Sequence, residues 1–209
     1  MPLGPLIRRL FGRYEHEVAD AYRRIYIDLN DFAARLKDWA PAPRRILEVG
    51  CGEGAMTERL AAAYANATIL AIDIAPSVGR LFRGEAAHVT FAREPLEAVA
   101  DREPGSFELV VLCDVLHHVR LSDRRALLAA IGKAMAPGAV FVFKEWLPTK
   151  HPIHWLCHFM DRYVTGDDVC FCTRSELEAQ LQEVFGAGCV LAEARIAPWP
   201  NNLALVVRR

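Results

Sequence analysis

Residues 45–56 read Arg45-Ile46-Leu47-Glu48-Val49-Gly50-Cys51-Gly52-Glu53-Gly54-Ala55-Met56, an apolar run that breaks into three alternating glycines and then turns helical. A strand that ends in glycines brings bare backbone N–H groups and a helix N-terminus close to a ligand, which suits a carboxylate or a phosphate. The pattern is that of a nucleotide-type cofactor site. Two frames satisfy it. As Gly50-x-Gly52-x-x-Ala55, with Asp73 following at roughly the 20-residue distance of a ribose-binding acid, it meets the dinucleotide fingerprint and points to a small NAD-binding oxidoreductase. As Glu48-x-Gly50-x-Gly52-x-Gly54 it keeps an acid inside the strand. Both frames predict the same strand, turn and helix, so the choice rests on the remainder of the chain.

Working outward, residues 1–42 read as two helical stretches, with Val18, Tyr22, Ile25, Tyr26, Leu29, Phe32 and Leu36 recurring at three- and four-residue steps before Pro41 and Pro43. Strands and helices then alternate. Strands are predicted at 45–49, 68–72 (ending at Asp73), 88–92, 107–112 and 139–143. Helices are predicted at 54–64, after Pro76, near 96–99, and from a Ser122 cap to Gly138. Near-continuous apolar strands between amphipathic helices indicate a parallel sheet covered on both faces, a doubly wound α/β fold. In the tail, Thr173-x-x-Glu176 is a capping box for a helix to about residue 185, and two strands at 189–197 and 203–208 can pair antiparallel.

Composition removes several classes. With 209 residues and 53% hydrophobic content the chain suits a single domain, and a two-domain dehydrogenase would be cramped. The formal charge of −1 gives no overall field for nucleic acid. The first 45 residues hold nine Arg or Lys against six Asp or Glu, which a solvated helical face accounts for. Six scattered cysteines suggest no disulfide framework, and neither a leader nor an apolar run of ~18 residues is visible. The expectation is a reduced, cytoplasmic protein.

Four segments resemble the class I S-adenosylmethionine (SAM) dependent methyltransferases of the small-molecule type: 47–54, 71–74, Phe107 to Val119 with its Asp114-Val115-Leu116-His117-His118, and 135–143. That fold ends its seven-stranded sheet with an antiparallel C-terminal hairpin, which a dinucleotide-binding domain does not. The resemblance implies that Gly50 and Gly52, with Cys51 between them, let backbone approach the methionine moiety and that Glu48 lies near its amino group. It further implies that Asp73 accepts from the ribose hydroxyls, that Ile74 packs on the adenine, that Glu94 is a candidate for the adenine amino group, and that Cys113 is a further cofactor contact. The family pattern is disturbed in Phe91-Ala92-Arg93-Glu94-Pro95.

The acceptor side is less defined. His117 and His118 follow the fourth strand, where paired histidines resemble the bases proposed in some sugar O-methyltransferases, and Asp114 either orients one of them or caps the turn. The alternative is a packing role for a histidine. The stretch 144–172 is long for a connection and rich in functional groups, so it reads as an acceptor-binding insertion that works with the N-terminal cap. Candidate acceptor contacts are Tyr14, Tyr22, Lys144, Glu145, Trp146, His154, Trp155 and Tyr163, whose aromatic character favours a flat or apolar acceptor. His151-x-x-His154-x-x-Cys157-His158 matches no structural zinc pattern, and no metal is expected. The leading expectation is methyl transfer to a small molecule, with O-methylation ahead of N- or C-methylation. A catalytically inactive methyltransferase-like partner subunit is the non-enzymatic alternative.

Overall fold

The computed structural model describes residues 12–85, 87–160 and 169–208. Its strands are β1 (Arg45–Val49), β2 (Thr68–Asp73), β3 (Val89–Arg93), β4 (Phe107–Cys113), β5 (Met135–Trp146), β6 (Val190–Arg195) and β7 (Asn202–Arg208). They form one seven-stranded sheet in the order β3-β2-β1-β4-β5-β7-β6. All neighbours are parallel except β7, which runs antiparallel to both β5 and β6. The doubly wound sheet and its terminal hairpin are therefore as the sequence predicts.

Among the described residues, seven α-helices accompany the sheet: α1 (Glu15–Arg24), α2 (Leu29–Trp39), α3 (Ala55–Ala63), α4 (Leu96–Arg102), α5 (Leu121–Ala134), α6 (Pro152–Met160) and α7 (Arg174–Phe185). Alternation along the central strands divides the apolar residues between two cores. Leu47, Val110, Leu112 and Phe141 face α4, α5 and α7, while Ile46, Leu109, Val111 and Val142 face α2 and α3. Both faces are dry, which is why these strands carry hardly any polar residue. The buried polar exceptions are Glu48, 2% exposed at the carboxyl end of β1, and Lys144 and Glu145, 1% and 3% exposed at that of β5.

Four local expectations are corrected. No helix follows Pro76: residues 76–81 form turns, because Gly79 at φ +66° lies against the Phe91 ring, where an added Cβ would come within 2.6 Å. The Gly79 and Leu81 N–H groups donate instead to the Gly52 and Glu53 carbonyls at 2.9 and 3.0 Å, so these turns brace the glycine loop. Ser122 caps nothing; its hydroxyl donates to Asp123 at 2.8 Å, and Arg120 takes the N-cap position. The helix expected to reach Gly138 stops at Ala134, and β5 begins at once because Met135 pairs with Phe107 and a register shift absorbs the next residues, with Gly138 at φ +74°. At its other end β5 continues through Lys144, Glu145 and Trp146, which pair with Ala204, Leu203 and Asn202 of β7. These three lie on the sheet, not in a loop. The capping box at Thr173 and Glu176 is present, the Thr173 N–H donating to Glu176 at 2.7 Å.

Helix α1 is held chiefly by charge. It buries only Glu15 and Ala19. Arg80 grips Glu15 at 2.9 and 2.6 Å and Glu53 of the glycine loop at 2.6 Å, while Asp20 pairs with Arg59 of α3 at 2.7 Å. The entry to α2 is fixed from the far end of the chain, since Asn202 donates to the Tyr26 carbonyl at 2.6 Å and the Asp28 N–H donates to the Ala197 carbonyl at 2.7 Å. These ties set the N-terminal cap over the carboxyl ends of β1, β4 and β5. No helix among the described residues is long and apolar enough to cross a membrane.

Candidate active site

At the end of β1 the chain must turn sharply beneath β4, and Gly50 makes this possible. It stands at φ +75°, and a Cβ there would meet Val115 at 2.3 Å. Gly54 follows at φ +93° and opens α3. The loop's donors are used within the protein. Gly50 and Cys51 donate to the Ile72 carbonyl at 2.8 and 3.0 Å, Gly52 donates to Asp73 Oδ2 at 2.7 Å, and Gly54 donates to the Cys51 carbonyl at 2.9 Å. The expectation that these N–H groups are bare is corrected: what the glycines supply is close approach. At Gly52 an added Cβ would meet no protein atom within 4 Å, so its bare Cα borders open space.

A cavity of about 320 Å³, within the size range of small-molecule sites, opens beside this loop. Its walls bring together Glu48, Gly50, Cys51, Gly52, Cys113, Asp114, His117, His118, Tyr22 and Trp146 from the sequence-derived candidates. Ile74, Glu94, Tyr14, Lys144, Glu145, His154 and Trp155 stand outside the lining. Glu94 is paired with Arg102 at 2.6 and 2.8 Å, Tyr14 is half-exposed beside Arg13, and Ile74 and Trp155 are 74% and 73% exposed. Tyr163 lies outside the described residues. Tyr26, Arg23 and Cys157 line the cavity although none was among the candidate contacts. Tyr26 was findable, since it follows Tyr22 at a helical step, and the two rings meet edge to face at 5.4 Å.

Asp73 borders the loop without lining the cavity. Its two oxygens accept from the N–H groups of Gly52 and Ala75, at 2.7 and 2.8 Å, and each keeps a lone pair. Asp73→Ala is expected to free Gly52 and remove the acceptor of a ligand diol, weakening nucleoside binding by about 1.5 to 3 kcal/mol. Calorimetry with S-adenosylhomocysteine measures this, and an unchanged affinity would remove Asp73 from the site.

Charge in the cavity is arranged in three units. Glu48 is buried; its Oε2 makes no hydrogen bond, and the buried Thr57 hydroxyl close to the carboxyl acts against the effect of burial. Burial, helped by the negative charge of Asp73, pushes its carboxyl up to about 7. Asp114, in the left-handed region at φ +54°, receives the buried Lys144 ammonium on both oxygens at 2.7 and 2.6 Å. Glu145 binds His117 Nδ1 at 2.7 Å with one oxygen and accepts the Leu116 N–H at 2.7 Å with the other. Burial would raise the Glu145 carboxyl, but His117, Lys144 and the Leu116 N–H outweigh it and hold it below its ordinary value. Glu145 is thus a partner of the histidine, placed there by the extension of β5. The ligand atoms of Asp114, His117 and Glu145 lie within 4.8 Å of one another, a spacing that would admit a cation, and the Lys144 ammonium already sits on Asp114. Burial raises the thiols of Cys51 and Cys113, so both line the cavity as neutral groups.

A family model described as a methyltransferase domain matches residues 14–186. A ubiquinone biosynthesis O-methyltransferase of Idiomarina loihiensis is 30% identical over 128 residues, covering 54% of this chain and 51% of that protein. The chain spans about half the length of the curated relatives it matches. Among solved structures, the 1,6-didemethyltoxoflavin-N1-methyltransferase of Burkholderia thailandensis, with 1,6-didemethyltoxoflavin and S-adenosylhomocysteine bound, superposes with a TM-score of 0.69 at 17% identity, covering 98% of this chain and 88% of that one. The N-methyltransferase NodS of Bradyrhizobium japonicum, in complex with S-adenosylhomocysteine, gives 0.60 at 21% identity over 86% and 84% of the two chains. At such identities the likeness concerns the fold, and it is the family match over most of the chain that decides: this chain belongs to the methyltransferase-domain family.

Proposed function

We propose that the chain binds SAM beside the glycine loop and transfers its methyl group to a hydroxyl of a small, flat, apolar or aromatic acceptor. Two features fit the cofactor. Glu48 offers a buried carboxylate oxygen without a partner in the cavity wall, which an α-ammonium group would complete. Gly52 leaves open space where any side chain would intrude, and Asp73 next to it keeps acceptor capacity for a ribose diol. When bound, SAM supplies a methyl group on a positively charged sulfur, so the protein's task is to align the acceptor and to keep water away.

The observation that carries the O-methyl reading is the His117–Glu145 pair in the wall of the same cavity. A hydroxyl must lose its proton as the methyl arrives, and imidazole is suited to take it near neutral pH. Glu145 assigns the ring proton to Nδ1, leaves base chemistry to Nε2, and offsets the positive charge that the ring then acquires. Lys144 neutralises Asp114, so the acceptor meets little net charge there. Tyr22, Tyr26 and Trp146 form an edge-to-face series at 5.4 and 6.0 Å, a wall that suits a planar acceptor. Residues 1–42 and the connection after β5 are read as the acceptor-side cap of a single domain. A reduced, cytoplasmic setting is part of this reading. The direct test is incubation of the protein with methyl-labelled SAM and a panel of simple phenols, catechols and aryl amines. Label in methyl ethers supports the reading, and label confined to amines overturns the O-methyl part of it.

Glu48 makes cofactor binding depend on pH. At about pH 6 its carboxyl is mostly protonated in the free protein, and it must ionise to pair with an ammonium group. Binding should therefore release a proton, with affinity rising as pH goes from about 6 to about 8. Titrations in buffers of different ionisation enthalpy check this. Proton release should disappear in Glu48→Gln, and an identical release in that variant would place the titrating group elsewhere.

A further inference from the structure

We propose that Thr57 is a positioning residue for Glu48, its hydroxyl a donor reserved for the ionised carboxylate, an inference that rests on the reading of Glu48 as the partner of the cofactor's ammonium group. Thr57 is fully buried in the first turn of α3, on the face that also buries Met56, Leu60 and Ala61. It stands outside the cavity lining, so it has no direct part in holding a ligand. Its hydroxyl makes no hydrogen bond. The two carbonyls one turn back are engaged, that of Glu53 by the Leu81 N–H and that of Gly54 by the Glu58 N–H, both at 3.0 Å.

A buried hydroxyl without a partner is costly, and nearly all such groups find one. What lies close to this one is the Glu48 carboxyl, whose Oε2 is also without a hydrogen bond. A donor and an acceptor, both shut off from water, thus stand side by side behind the cavity wall. A protonated carboxyl asks little of its surroundings, whereas a carboxylate only accepts and gains from every donor it meets. The Thr57 O–H needs only to rotate to supply one, and the carboxylate keeps further lone pairs for an ammonium group. Burial and the charge of Asp73 push the Glu48 carboxyl up to about 7, and the Thr57 hydroxyl acts against them. Thr57 therefore favours the charged form of Glu48, the form that an ammonium group pairs with.

The titratable groups next to the carboxyl do not do this. Asp73 of β2 opposes ionisation by its own charge, and the Cys51 and Cys113 thiols stay neutral. Across the cavity stand Tyr22 and Arg23 of α1, Tyr26, Glu53, Asp114, His117 and His118, and Cys157 of α6. A change at Thr57 leaves every one of these side chains in place, so their titration is common to wild type and variant.

The test compares affinities across pH and needs no acceptor. S-adenosylhomocysteine is titrated into the wild type and into Thr57→Val, a change that keeps the shape of the side chain and removes its hydroxyl. At pH 6 the variant should bind about tenfold more weakly or worse, and at pH 9, where Glu48 is ionised in both proteins, within about a factor of two of the wild type. Thr57→Ser should restore the wild-type profile. Binding of 5′-methylthioadenosine, which lacks the ammonium group, should be the same in both proteins at either pH. A ratio of S-adenosylhomocysteine affinities that is equal at the two pH values, whatever its size, overturns the proposal, as does a parallel loss of 5′-methylthioadenosine binding. Thr57→Ala serves if Thr57→Val does not yield folded protein. A wild-type affinity for S-adenosylhomocysteine that does not vary with pH would instead be a failure of the Glu48 reading, and no binding at all a failure of the cofactor reading.

Discussion

Replacing Gly50 with alanine is expected to destroy the cofactor site. The new methyl would meet Val115 Cγ2 at 2.3 Å, and the backbone at φ +75° is one that alanine disfavours. Left-handed strain of about 1 to 2 kcal/mol and overpacking of about 1 to 3 kcal/mol act at the same point, so the turn should move. Since the Gly50 and Cys51 N–H groups hold this turn to the end of β2, Asp73 and Glu48 would lose their relative placement. The expected result is a fall in S-adenosylhomocysteine affinity on the order of a hundredfold or more, with a lower thermal midpoint. Gly52→Ala is the control: it shares a positive φ of +51° but meets no protein atom within 4 Å, so it should keep more of the stability. Wild-type binding and melting in Gly50→Ala would mean that the loop is not the site.

His117→Ala should lower turnover on the order of 10² to 10⁴-fold, the usual span for a lost general base. Glu145→Gln should lose part of the same factor, since the amide preserves shape but no longer balances an imidazolium. Gln is preferred to Ala because breaking a buried charge pair outright costs about 3 to 5 kcal/mol of stability and would confuse the readout. Neither change touches the glycine loop, so affinity for S-adenosylhomocysteine should hold. Full turnover in both variants would remove the base. A loss of cofactor affinity matching the loss of turnover would make His117 structural.

Much of this site was legible in residues 45–56, because a strand ending in alternating glycines has few physical uses. The hairpin that decided between two cofactor classes was legible too, from two apolar runs around a Pro- and Asn-rich loop. Less visible were features that depend on long-range pairing. Glu145 looked like an acceptor contact because β5 was expected to end at Phe143, and only the ladder with β7 carries it inward to His117. Nothing in the sequence marks Arg124, yet it is 2% exposed and bonds to Cys172, 48 residues away. Asp73 was correctly placed at the end of β2, but its bond to the Gly52 N–H could not be read from spacing. The turns after Pro76 were missed because proline suited a helix start, while Gly79 and its contact with Phe91 decided otherwise.

The central claim is that the crevice between Glu48, the glycine loop and Asp73 is built for a sulfonium nucleoside and not for a dinucleotide. Calorimetric titration of the wild type and of Glu48→Gln with S-adenosylhomocysteine and with NAD tests it most directly. The account predicts a single S-adenosylhomocysteine site in the wild type, weakened in Glu48→Gln, and no heat with NAD. Saturable binding of NAD with none of S-adenosylhomocysteine would contradict it.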